Sequence, residues 1–146
     1  MIAALALLVL VQAQGGAAAD PCEGSTTIAV NQCLANKVDA AQAEMERYLA
    51  AARKRAAEMG GTPPGASEKE LLTGFDAAQD AWAKYRDAQC DAIYTYWQGG
   101  TIRGAMALGC TLELTQQRTH FLWESFLTFP DSTPPVLPEP ALPDTK

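Results

Sequence analysis

The segment AWAKYRDAQC, residues 81–90, places a tryptophan, a tyrosine, an arginine and a cysteine along one predicted helix. A cysteine there can form a stable crosslink only if the chain reaches an oxidising compartment and a second cysteine-bearing helix returns alongside it. The fold therefore depends on the leader that precedes this segment and on the helices to either side of it.

The N-terminal stretch MIAALALLVLVQAQGGAAAD predicts export. Its apolar run over residues 2–11 is shorter than the roughly 20 residues that span a bilayer. Small residues follow it, as they do in a secretory signal peptide. We expect residues 1–19 to be removed before Asp20, which leaves a periplasmic or secreted protein with no membrane insertion. Because no Lys or Arg precedes Lys37, a plain hydrophobic N-terminal helix is the alternative.

Composition and charge narrow the class of partner. The chain has 146 residues, 48% of them hydrophobic, which is enough for one domain. Its formal net charge is −6. This charge disfavours nucleic acid and anionic lipid as partners and favours cationic ones, because the summed field of a protein governs its encounters.

The cysteines favour two disulfides. Cys22, Cys33, Cys90 and Cys110 form an even set in a short chain that is predicted to be exported. No two of them have the C-x₂₋₄-C spacing of a zinc site, and the single histidine, His120, is remote in sequence. The C-x-x-C motif of thiol oxidoreductases does not occur in the sequence. We therefore expect no metal site and no cofactor.

Apolar spacing and helix breaks predict three helices. The run GGTPPG at residues 60–65 ends the first helix, since Gly and Pro terminate helices. Ser67 and Glu70 have the spacing of a capping box that begins the second. The Gly-Gly pair at 99–100 ends it, and the third helix is predicted over 103–129. The apolar stripe of the second helix recurs at spacings of three and four: Leu71, Phe75, Ala78, Trp82, Tyr85, Gln89 and Ala92.

These elements predict an all-α fold. Short connections make consecutive helices antiparallel neighbours, so residues 20–129 should form a three-helix up-down-up bundle. Six prolines between residues 129 and 146 exclude a helix there and favour polyproline II. We expect residues 130–146 to be a disordered, flexible tail, and a docking peptide for a proline-binding partner is the alternative.

Antiparallel packing also bears on the disulfide pairing. If the second helix turns back near residue 101, Cys90 and Cys110 lie at about the same height on neighbouring helices. This favours a Cys90–Cys110 bridge and leaves Cys22 to pair with Cys33. The same geometry also allows Cys33–Cys90 with Cys22–Cys110, so the sequence leaves the pairing open.

Other side chains of the quoted segment have structural interpretations. Trp82 and Tyr85 are expected to supply core area, as aromatic residues at helical spacing usually do. Arg86 is expected to lie near the third helix and to pair with Glu113, an interaction that adds little stability unless it is partly buried.

The same residues resemble the landmarks of the LprI family over about residues 22–122. Cys22 and NQCL (31–34) resemble its N-terminal cysteine pair, and AWAKYRDAQCD (81–91) resembles its W-x-x-Y/F-R-D-x-x-C helix. GGT (99–101) is similar to its Gly-Gly-Ser-like loop, and GCTLELTQQRTHFL (109–122) to its C-x₄-T-x₂-R-x₃-L final helix. The family positions are then Trp82, Tyr85, Arg86, Thr115 and Arg118. Thr101 replaces the usual serine, and the lipoprotein cysteine of the founding member has no counterpart.

The resemblance implies a small exported helical protein that binds and inhibits lysozyme. The residues themselves offer two sets of candidate contacts: the acidic stripe Asp76, Asp80, Asp87 and Asp91, at spacings of four, seven and four, and the short loop Gly99, Gly100 and Thr101. An acidic face would speed encounter with lysozyme or another cationic protein, although a solvated helix face accounts for the stripe as well. The alternative function is a cell-envelope adaptor or structural protein with no lysozyme activity.

An enzyme is disfavoured by the sequence. His120 is the only histidine, and every cysteine is assigned to a disulfide. Neither a glycine-rich phosphate loop nor a G-x-S-x-G elbow occurs.

Export and oxidation can be tested together on the native protein. We expect its non-reduced mass to correspond to a chain that starts at Asp20, with no thiol alkylated before reduction and four alkylated after it. Mass spectrometry measures both properties. Retention of residues 1–19, or four thiols that react without reduction, would contradict the predicted leader and crosslinks.

Overall fold

The computed structural model describes residues 22, 26–61 and 65–141. Within them lie three α-helices: α1 over Thr27–Met59, α2 over Glu68–Tyr96 and α3 over Arg103–Leu122. A π-helical segment, Trp123–Leu127, continues α3, so the helix predicted over 103–129 is α-helical only as far as Leu122 and ends at Leu127. The described part of the chain contains no β-strand, and the predicted all-α class is confirmed. The predicted signal peptide, residues 1–19, lies outside the described residues.

The predicted break after α1 is confirmed, and its glycines have separate physical roles. The N–H of Gly60 donates to the carbonyl of Ala57 at 3.1 Å and ends the helix. A Cβ at position 60 would overlap the backbone of Glu68, so the close approach of α2 requires glycine there. Gly61 has φ +76°, in the left-handed region that favours glycine.

The capping box that begins α2 is confirmed. Glu70 donates its backbone N–H to the Ser67 hydroxyl at 3.3 Å, and Ser67 donates its own N–H to the Glu70 carboxylate at 2.9 Å. The hydrogen bonds from Ser67 hold the pKa of the Glu70 carboxyl below its ordinary value. Two donors of the first turn that would otherwise lack partners are satisfied in this way.

Contacts across the helices show how the bundle is arranged. Between consecutive helices, rising residue numbers on one helix meet falling numbers on the next: Gln42–Arg86 and Arg53–Asp76 for α1 and α2, and Gln79–Arg118 and Cys90–Cys110 for α2 and α3. The start of α3 lies against the start of α1, where Gly104 meets Asn31. These contacts fit the expected up-down-up order.

Two disulfides pair the cysteines in sequence order. Cys22 bonds Cys33 with their Cα atoms 5.4 Å apart, and Cys90 bonds Cys110 with their Cα atoms 5.6 Å apart. No cysteine is free. The favoured pairing is confirmed, and Cys33–Cys90 with Cys22–Cys110 is excluded.

The buried core lies at the opposite end of the bundle from the 97–102 loop. Its members come from all three helices and the π-helical segment: Met45, Tyr48, Ala52, Phe75, Leu122 and Leu127. Phe75 packs edge-to-face on Phe126 with ring centroids 5.1 Å apart. Towards the loop end, by contrast, the buried apolar residues of α2 are reduced to Cys90. The second disulfide therefore holds α2 to α3 where the core has ended.

The predicted apolar stripe of α2 is correct at Phe75 and Trp82 and wrong at four other positions. Phe75 is buried, and Trp82 packs against the core. Ala78, Gln89 and Ala92 are exposed, and Tyr85, expected in the core, is 55% exposed. The face that α2 presents to its neighbours instead carries Gln79 and Arg86, polar residues that the hydrophobic pattern could not assign to an interface.

The described part of the tail, residues 130–141, differs from the flexible segment expected. Trp123 donates its indole N–H to the Leu137 carbonyl at 3.0 Å, and Tyr48 donates its hydroxyl to the Pro138 carbonyl at 2.7 Å. Leu137 packs on the core. Proline has a carbonyl but no N–H, so this segment can accept hydrogen bonds from Tyr48 and Trp123 while placing few donors of its own against the core. Residues 142–146 lie outside the described residues.

Packing of the tail on the core can be tested by one pair of variants. Leu137→Ser should lower the free energy of unfolding by about 2 kcal/mol, because a half-buried leucine is replaced by a hydroxyl. Its neighbour Val136 is exposed, so Val136→Ser should change stability by less than about 0.5 kcal/mol. Urea unfolding followed by circular dichroism measures both. Equal effects would contradict docking of the tail.

Candidate functional site

The motif residues of α2 and α3 form a cluster around Trp82. The guanidinium carbons of Arg86 and Arg118 lie 5.1 Å and 5.7 Å from the centroid of its indole ring. Both distances are within the range of cation–π attraction. We call Trp82, Arg86, Arg118 and their glutamine partners the tryptophan cluster.

Each arginine of the tryptophan cluster is bound by a glutamine of another helix. Arg86 donates to the Gln42 side-chain oxygen of α1 at 2.9 Å, and Arg118 donates to the Gln79 oxygen of α2 at 3.0 Å. Burial lowers the pKa of the Arg118 guanidinium from its ordinary value. The cluster therefore connects all three helices through charge-assisted hydrogen bonds, which are stronger than neutral ones.

The expected ion pair of Arg86 with Glu113 is wrong. Arg86 instead binds the adjacent Asp87, with two nitrogen–oxygen distances of 3.0 Å and 2.9 Å. Glu113 accepts a hydrogen bond from Gln117 of its own helix. Arg86 is directed towards α1, where Gln42 meets it, and counting positions around the 99–100 turn could not show this direction.

The remaining motif positions differ in environment. Thr115 is fully buried, its hydroxyl has no hydrogen-bond partner, and its carbonyl accepts the Thr119 hydroxyl at 2.9 Å. Tyr85 is exposed, although it is adjacent in sequence to the half-buried Arg86.

Gln42 and Gln79, which bind the two arginines, were missed by sequence reasoning. The only signal for Gln79 is its spacing of three from Trp82 and seven from Arg86, which places all three residues on one helical face.

The acidic stripe of α2 is partly neutralised by arginines. Arg53 binds Asp76 through two hydrogen bonds of 2.8 Å and 3.0 Å, and this contact holds the pKa of the Asp76 carboxyl below its ordinary value. Asp87 is bound by Arg86. Asp80 and Asp91 are exposed and form no ion pair within the described residues. Two of the four predicted contact residues are thus available to a partner.

The loop residues Gly99, Gly100 and Thr101 lie at one end of the bundle, which we call the tip and define as residues 27–31 and 94–106. Here the start of α1, the end of α2 and the start of α3 meet. The N–H of Gly100 donates to the Trp97 carbonyl at 2.8 Å, which closes the turn. The Cys90–Cys110 disulfide crosslinks the two helices that carry this turn.

An open pocket of about 560 Å³ lies in the tip, lined in part by Asn31, Tyr94, Arg103 and Gly104. The Asn31 amide nitrogen is 2.8 Å from where a Cβ of residue 104 would lie, so glycine admits this side chain. The Asn31 oxygen is buried without a hydrogen-bond partner. The pocket is thus lined by a polar, an aromatic and a cationic side chain: Asn31, Tyr94 and Arg103.

Arg103 is the charged residue of this pocket, and sequence reasoning did not single it out. It donates to the Gln98 carbonyl at 3.0 Å, and its guanidinium carbon lies 5.5 Å from the centroid of the Tyr94 ring. These two contacts hold an exposed cation in place. Among the described residues, no group of three His, Cys, Asp or Glu side chains could hold a metal ion.

These features define a class: small helical-bundle proteins with two disulfides, in which an arginine–tryptophan cluster joins the helices. The family model described as "Lysozyme inhibitor LprI" matches residues 18–122, and the chain belongs to this family. The chain is similar to the uncharacterized protein R02472 of Rhizobium meliloti (strain 1021), with 32% identity over 99 residues, 65% of this chain and 70% of the relative. No solved structure matches. No described helix is long and apolar enough to cross a membrane.

The tryptophan cluster predicts a specific loss of stability. Arg118→Met keeps an apolar side chain but removes the donor to Gln79 and the cation near Trp82, so the free energy of unfolding should fall by about 2 kcal/mol. Exposed Lys54 is the control: Lys54→Met should change it by less than about 0.5 kcal/mol. Chemical unfolding followed by circular dichroism measures both.

A double-mutant cycle with Trp82→Leu separates the cation–π term from the other contacts of Arg118. We expect a coupling free energy of about 1 kcal/mol between positions 82 and 118. Strictly additive effects of the two substitutions would contradict the assigned contact.

Proposed function

We propose that this protein is an exported binding module that inhibits a lysozyme, and that it acts in the periplasm or outside the cell. The observation that carries the proposal is the family match over residues 18–122, a range that contains all four cysteines and the whole tryptophan cluster. The two disulfides support an oxidising compartment.

Charge supports the choice of partner. The protein carries a net charge of −6, and the muramidases of host defence are often strongly basic. Complementary net charge speeds encounter and makes the association rate fall as salt screens the attraction. Asp80 and Asp91, which no described cation neutralises, would contribute to this attraction.

An envelope adaptor without lysozyme activity is the second candidate. The exposed side chains of the tip favour protein binding in general, and they do not distinguish an inhibitor from an adaptor. A catalytic role for His120 has less support, since its ring lies 5.3 Å from that of Trp123 and 3.4 Å from Glu139 of the tail. These contacts are those of a side chain that helps to hold residues 130–141.

Lysozyme inhibition is tested by titrating the mature protein into a cell-wall turbidity assay with chicken-type and goose-type lysozymes at two salt concentrations. We expect inhibition of at least one enzyme, weaker at the higher salt concentration because the long-range attraction is screened. No inhibition of either enzyme at either salt concentration would reject the proposal and favour the adaptor.

The acidic stripe is tested in the same assay with Asp80→Lys/Asp91→Lys. This variant leaves the Arg53–Asp76 and Arg86–Asp87 contacts intact, so the bundle should remain folded. We expect weaker inhibition at low salt and a smaller salt dependence than for the unchanged protein. Unchanged potency and salt dependence would exclude this face from the encounter.

A further inference from the structure

Exposed apolar side chains of the described residues are concentrated at the tip. Six of the ten large hydrophobic residues that are exposed lie there: Ile28, Tyr94, Tyr96, Trp97, Ile102 and Met106. Tyr96 is 80% exposed and packs edge-to-face on Trp97, with ring centroids 5.6 Å apart. A cluster of exposed aromatic residues at one end of a small protein is typical of a binding surface.

The charge of the tip is opposite to that of the whole protein. Residues 27–31 and 94–106 contain one charged side chain, Arg103, and no acidic residue. Within a chain of net charge −6, the residues that define the tip therefore carry a single positive charge. The contacts of Arg103 with the Gln98 carbonyl and the Tyr94 ring reduce the conformational entropy that its guanidinium would lose on binding.

The backbone of the tip is also constrained. The Cys90–Cys110 bridge crosslinks the two helices that the turn connects. Within the turn, the backbone N–H of Trp97 donates to the Ile93 carbonyl and that of Gln98 to the Thr95 carbonyl, both at 3.1 Å. A short turn between two crosslinked helices needs little further ordering when it binds a partner.

We propose that the tip enters the glycan-binding cleft of the inhibited lysozyme and that Arg103 pairs there with the catalytic carboxylates. This inference rests on the proposed function and names its contact surface. Glycoside hydrolases of this kind hold two carboxyl groups beside the scissile bond. An arginine binds carboxylates through paired hydrogen bonds, and the exposed aromatic rings of the tip supply apolar contacts along the cleft.

The net charge of the protein and the local charge of the tip have separate consequences. The net charge of the protein attracts a basic enzyme over long distances, whereas its acidic face would be repelled by carboxylates at the bottom of the cleft. The tip carries the one local charge that fits them. Arg103 should therefore determine how long the complex lasts, and the net charge should determine how fast it forms.

The test compares Arg103→Ala with Lys54→Ala, which removes the same charge at the opposite end of the bundle. With the lysozyme that the unchanged protein inhibits, we expect Arg103→Ala to raise the inhibition constant at least about tenfold, Arg103→Lys to give an intermediate value, and Lys54→Ala to stay within about twofold of the unchanged protein. Thermal unfolding of each variant checks that the bundle is intact. Equal inhibition constants for Arg103→Ala and Lys54→Ala would overturn the assignment of Arg103.

Competition with tri-N-acetylchitotriose tests the site without any substitution in this protein. We expect this cleft ligand to displace the unchanged protein from lysozyme, measured by gel filtration of the two proteins with and without the sugar. A ternary complex of enzyme, sugar and protein would overturn the inference and leave the proposed function standing. Failure of the unchanged protein to inhibit any lysozyme would reject the proposed function itself.

Discussion

The Cys90–Cys110 disulfide is the constraint on which the tip of this protein depends. The buried core gathers around Tyr48 and Leu122 at the far end of the bundle, and it does not extend to the turn at 97–102. A crosslink between α2 and α3 typically contributes about 2–4 kcal/mol by restricting the unfolded chain. It can therefore replace the buried apolar area that the tip lacks, and the aromatic residues of the tip are left at the surface.

Between the core and the tip, the tryptophan cluster fixes the three helices relative to one another. Arg86 and Arg118 reach different helices, and both lie over Trp82. These are the positions by which the chain resembles its family, and the structure gives them a role in packing. The family positions therefore account for the packing of the helices, whereas the exposed groups Arg103 and Tyr96 lie at the tip.

Sequence patterns succeeded where the determining interactions are local. The Ser67–Glu70 capping box and the break at Gly60 involve residues within one turn or one loop, and both were predicted correctly. The short turn at 99–100 favoured a Cys90–Cys110 bridge without excluding Cys33–Cys90, and the structure decided between the two pairings. The predictions failed where they had to state which side chains of a helix point towards the other helices. Tyr85 and Arg86 are neighbours in sequence, and the expected face assigned the wrong one of them to the interior.

The remaining differences between the sequence predictions and the structure involve residues that are far apart in the chain. The contacts of residues 130–141 with Tyr48 and Trp123 join segments 90 and 14 residues apart, and the prolines that exclude a helix do not by themselves predict that the segment packs. The tip likewise assembles from the first turn of α1 and the turn between α2 and α3, so neither segment alone identifies Asn31 and Arg103 as neighbours.

The sequence by itself determined the three helices, the break at Gly60 and the cap at Ser67, because hydrophobic period, capping chemistry and helix breakers act within a few residues. Only the tertiary structure decided which polar side chains face inwards, where the tail lies and which exposed residues share one end. These properties depend on the rotation of each helix about its own axis, which is set by packing against the other two.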